Sequence, residues 1–74
     1  MSREDAGLVA EAVGMLTDDD RQLLHWKYID GLTYPELASR LGVARHMAEY
    51  RVVAAKKRLR GLLVEIGLGE DDPR

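Results

Sequence analysis

Gly42 stands between two stretches of helical periodicity, and this juncture constrains the fold more than any other feature of the chain. Ahead of it, Thr33 is followed three residues later by Glu36, the spacing of a reciprocal capping box. Pro35 falls in the first turn, where its missing N–H costs little. Leu37, Ala38 and Leu41 then form one apolar stripe. Gly42 suits the left-handed residue that closes such a helix. Beyond it, Ala48, Val52, Ala55, Leu59, Leu62, Leu63 and Ile66 recur at spacings of three and four, which predicts one long helix over 44–66. Two helices about a turn at Gly42 and Val43 have the length of a helix-turn-helix unit.

The rest of the chain adds helices and no sheet. "REDAGLVAEAVGM" predicts a helix near 4–15, weakened by Gly7 and Gly14. Thr17 predicts an N-cap for a second helix over 18–30 that ends at the Asp30-Gly31 turn signal. Asp18, Asp19 and Asp20 fill its first turn, where the helix dipole favours negative charge, and they read as capping rather than metal binding. Leu24, Leu37, Leu41, Val52 and Leu59 are expected to be largely buried. Trp26 and Tyr28 are expected to be partly buried and to anchor the second helix, and His25, beside Trp26, is expected to belong to the packing. The expected fold is all-α: three short helices and a long fourth one in a single domain spanning 1–74, its core at 16–66 and an acidic tail at 67–74.

At 74 residues with no cysteine, the chain has neither a disulfide framework nor a thiolate metal site, and the same composition suits a reducing cytoplasm. No apolar run reaches the length of a membrane span, so no membrane role is expected. Nor is an enzyme expected. His25 and His46 fall on different helices without a base–nucleophile–orienter set, and there is no glycine-rich phosphate loop. No cofactor, metal or catalytic residue is assigned. The net charge of −2 conceals segregation: residues 1–44 carry −4, residues 45–60 carry +5 and residues 61–74 carry −3. Local field steers a polyanion more than total charge does, so the basic stripe on the last helix is compatible with DNA.

"GLTYPELASRLGV" together with "KKRLRGLL" resembles region 4 of bacterial sigma factors, particularly the extracytoplasmic-function group. The likeness runs from about Leu16 to Leu63 without a gap. It implies a four-helix module whose last two helices bind the minus-35 promoter element and which docks on the β-subunit flap of RNA polymerase. Either an excised domain or a short homologue fits that expectation. Among other helix-turn-helix regulators, a response-regulator output domain fits "KKRLRGLL" less well.

Carried over position by position, the resemblance makes Arg45 the leading base reader, with the bidentate geometry for guanine O6 and N7. His46, Met47, Glu49 and Tyr50 take positions that point toward DNA in the family. His46 suits phosphate or base when protonated, Met47 a thymine methyl and Glu49 a cytosine N4 amine, although its charge repels phosphate. Arg51 is expected on backbone phosphate. Thr33 and Tyr34 match a pair at the start of the supporting helix, where free N–H groups favour a phosphate, although N-capping alone also accounts for Thr33. Lys57 belongs to the same DNA-facing set, while Lys56, Arg58 and Arg60 are expected on phosphates or on polymerase. The departures are Glu49 and an apolar strip of Tyr50, Val53 and Ala54 on a face that is basic in the family. That strip motivates an alternative: a sigma-like interaction module whose partner is an anti-sigma protein, a regulator or a second copy of the chain.

Overall fold

A computed structural model describes residues 3–67. Among them are four α-helices: α1 (Arg3–Met15), α2 (Asp18–Leu24), α3 (Tyr34–Leu41) and α4 (Arg45–Glu65). A π-helical segment, His25–Ile29, continues α2, and no strand occurs among the described residues. The all-α, helix-turn-helix expectation is therefore met. Of the acidic tail, only Gly67 lies within the described residues.

Local chemistry sets the helix boundaries. The Thr17 hydroxyl accepts the Asp20 N–H at 3.2 Å, which starts α2 as the sequence predicts. Arg21 ties this helix to α1 by donating to the Val13 and Gly14 carbonyls, and it also pairs with Asp18. The capping box of α3 is complete. Glu36 N–H donates to Thr33 Oγ1 at 3.3 Å, and Thr33 N–H donates to Glu36 Oε1 at 2.7 Å. At the far end Gly42 has φ +71°, and Val43 N–H reaches back to the Ala38 carbonyl. A Cβ at Gly42 would meet no atom within 4 Å, so the backbone angle, not lack of room, calls for glycine there.

The second helix differs from expectation. It is α-helical only to Leu24 and then widens: Asp30 N–H bonds to the His25 carbonyl five residues back, at 3.0 Å. Leu32 N–H bonds to the Trp26 carbonyl at 2.9 Å, and Gly31 turns the chain with φ +74°. In this wider turn Trp26 packs against the core, while Tyr28 and Ile29 are exposed. Tyr28 is thus not partly buried; Lys56 sits over its ring at 5.5 Å. His25 does not pack beside Trp26 either, but is exposed with its Nδ1 3.5 Å from Asp30.

Leu23, Leu37, Ala38, Ala48 and Val52 form the central cluster, ringed by Leu24, Trp26, Leu32, Tyr34, Leu41 and Val43. Ala12, Leu16 and Ala55 are also buried, so α1 contributes to the packing, with Leu8 and Val9 half-buried ahead of Ala12. Leu24, Leu41 and Leu59, expected to be largely buried, are only half-buried. In a domain this small the helices close off only the central residues, and the apolar side chains that ring them still meet solvent.

Candidate nucleic-acid interface

Three small side chains, Ala48, Val52 and Ala55, face α4 inward and are buried. The helical repeat turns His46, Tyr50 and Val53 away from that face, with Met47, Glu49 and Arg51 flanking it; Arg45 lies on the side of Ala48 and Val52 but one turn ahead of the buried contact, and all seven are exposed. Among the described residues Arg45, His46, Glu49 and Arg51 have no hydrogen-bond or ion-pair partner. Ala44 begins α4 in an extended conformation with no side-chain cap. The first two turns of this helix thus present two unpaired guanidinium groups and one unpaired carboxylate to solvent. Arg51 also borders a cleft shared with Asp19, Trp26 and Leu41.

Other expected contact residues are placed differently. The backbone N–H and the hydroxyl of Thr33 are engaged by Glu36, whose carboxylate lies at the start of α3 where a phosphate was expected. That backbone N–H holds the Glu36 carboxyl below its usual range, with the Thr33 hydroxyl assisting. Tyr34 is half-buried against the core, with Lys27 Nζ 4.5 Å from its ring centre. Lys57 and Arg60 are exposed and, with Val53 and Lys56, border a shallow depression along α4. The strip read from the sequence stands out at Tyr50 (66% exposed) and Val53 (54%), whereas Ala54 is half-buried.

Arg58 is held within the chain. Its Nε and Nη2 donate to the two carboxylate oxygens of Asp20 at 2.5 and 2.8 Å. Asp20 is only 5% exposed. The Arg58 hydrogen bonds hold its carboxyl below the usual range despite burial, which pushes the other way. The acidic triplet at 18–20 is therefore more than a cap: its third member pairs with α4. Asp20 falls three residues before the buried Leu23 on the same helix, and that shared face is the sequence signal for its inward position.

On another side, α1, the end of α2 and α4 frame an apolar groove of about 600 Å³ lined by Val9, Val13, Leu16, Leu24, Ile29 and Leu59. Arg21, His25 and Lys56 border it. No single helix pattern reveals this groove, because each contributes only an edge. No group of three or more metal-ligating side chains converges among the described residues.

The family model for sigma-70, region 4, matches residues 6–59. The chain belongs to the sigma-70 region 4 family. The match takes in α1 from Ala6, α2, the π-helical segment, α3 and the turn, and ends at Leu59 within α4. Comparison with curated proteins returns no match. Region 4 is a sigma-factor DNA-binding domain of transcription initiation and not an enzymatic one. In this region 4 domain, the exposed start of α4 is the natural candidate for the nucleic-acid face. No helix among the described residues is long and apolar enough to cross a membrane.

Proposed function

We propose that the 74 residues form one region 4 domain that reads a minus-35 promoter element with the first two turns of α4 and docks on the β-subunit flap of RNA polymerase. One observation carries the reading. Arg45 stands exposed and unpaired at the start of a helix that a capped α3 and a left-handed Gly42 set at the molecular surface. Arg45 takes a guanine, Met47 a thymine methyl and Glu49 a cytosine amine. His46, Arg51, Lys57 and Arg60 serve backbone phosphates. Thr33 and Tyr34 act mainly by supporting α3. The apolar groove between α1 and the end of α2, with Lys56 on its rim, offers polymerase its docking surface. The setting for these contacts is the cytoplasm.

A titration of labelled minus-35-type duplexes at two salt concentrations tests the reading. Binding is expected at low salt and should fall steeply as salt rises. Arg45→Ala should cost roughly 1–3 kcal/mol and relax preference at one base pair. Glu49→Lys should tighten non-specific binding, because a repelling charge goes and a phosphate partner is gained, while preference at the cytosine position is lost. The exposure of Tyr50 and Val53 favours a second reading, a protein-interaction module that captures an anti-sigma protein, a regulator or another copy of the chain. If no duplex binds at low salt, while Tyr50→Ala or Val53→Asp breaks a protein complex, the second reading replaces the first.

A further inference from the structure

α4 meets the rest of the domain through a surface of small side chains. Its fully buried residues are Ala48, Val52 and Ala55. Methyl and isopropyl groups supply non-directional attraction, which resists separation but defines the tilt of a helix poorly. The first half of α4 is held against α3 in the cluster of Leu37, Ala38, Ala48 and Val52. On its second half Lys56 lies over the exposed Tyr28 ring, and the hydrogen-bonded contact is the two-bond pairing of Arg58 with Asp20 from α2. Its carboxylate is buried and its position is fixed in turn by the Thr17 cap at the start of α2. A planar fork on a carboxylate fixes both distance and orientation.

From this geometry we infer that Asp20 and Arg58 are positioning residues for base reading: the pair sets the axis of α4 and so the placement of Arg45 and its neighbours. With Val52 as the pivot, Arg45 is seven residues away. At 1.5 Å per residue that is about 10 Å, so a tilt of roughly 10° moves it by about 2 Å. Productive contacts tolerate about 0.5 Å. The pair also withdraws Arg58 from the cations available to phosphate. The inference deepens the promoter-reading proposal and rests on it for its consequence, but the geometry can be tested without DNA.

The test compares the wild-type chain with Asp20→Asn and Arg58→Lys. Each is measured against a preferred minus-35-type duplex and a scrambled one, at a temperature where melts show it folded. Asp20→Asn should lose about tenfold or more of the discrimination between duplexes. Its affinity for the scrambled duplex should hold or rise, because an anion is removed and Arg58 released. Arg58→Lys keeps the charge but not the fork, and should lose discrimination in the same direction; it serves if the Asn variant does not fold. A pair that only stabilised the fold would lower Tm and leave discrimination at the wild-type value, and that result overturns the inference. Without DNA, the amide chemical shifts of Arg45 to Tyr50 should move in both variants; unchanged shifts also overturn it. If the wild-type chain does not discriminate at all, the promoter-reading proposal fails, and the amide shifts alone decide the positioning of α4.

Discussion

Leu37 and Leu41 sit one turn apart on α3, yet only Leu37 is closed off from solvent. Periodicity assigns both to the inward face, but it cannot tell how far the neighbouring helices extend over each. Leu37→Ala should cost about 2–5 kcal/mol, and Leu41→Ala clearly less, since part of that side chain is already hydrated. Thermal melts of the two variants check the ordering; equal losses would contradict it. Gly42→Ala should cost about 1–2 kcal/mol through the left-handed backbone alone, because nothing obstructs the added methyl. A Gly42→Ala melt matching wild type would show that the turn has relaxed. Arg45 was legible as a candidate through the resemblance, which places an arginine at the head of the reading helix. Asp20 was not legible as a partner of Arg58, which lies 38 residues away.

At the scale of elements, the boundaries follow local chemistry where a cap is made by neighbours. The α3 start was readable from Thr33 and Glu36 alone, since both halves of the box lie within four residues. Thr33→Ala should cost about 0.5–2 kcal/mol, and a melt that does not move would show that the cap contributes nothing. The same cap occupies the groups that a phosphate would need, so the variant should change promoter affinity little while the protein stays folded. The end of α2 was not readable in this way. A π-turn has no distinctive local sequence, and here it accompanies the docking of Trp26 on a core built from α3 and α4. It also turns Ile29 outward, 72% exposed, onto the edge of the apolar groove.

The whole molecule should be sensitive to acid. Asp20 and Glu36 both titrate below their usual values when folded. The folded state therefore binds fewer protons than the unfolded chain as pH drops through the carboxylate range. Their stabilising contribution is complete above the unfolded carboxylate pKa of about 4 and disappears as pH falls through the folded values. Melts followed downward from neutral pH should show Tm declining in that window. Asp20→Asn should flatten the decline, because only the wild type has that proton to take up. An unchanged slope would mean that the Arg58 pair does not persist in solution.

Much of this protein was fixed by its sequence. The helix count, the caps at Thr17 and Thr33, the left-handed break at Gly42 and the outward position of His46, Tyr50 and Val53 all depend on interactions within a few residues or on the helical repeat. Such interactions leave a spacing that can be read. Tertiary structure alone decided the π-turn, the exposure of His25 and Tyr28, the groove shared by three helices and the retention of Arg58 by Asp20. Each of these depends on which helix faces which, and at what angle. No periodicity within one helix encodes that angle, because it is set when the apolar faces of different helices are buried together.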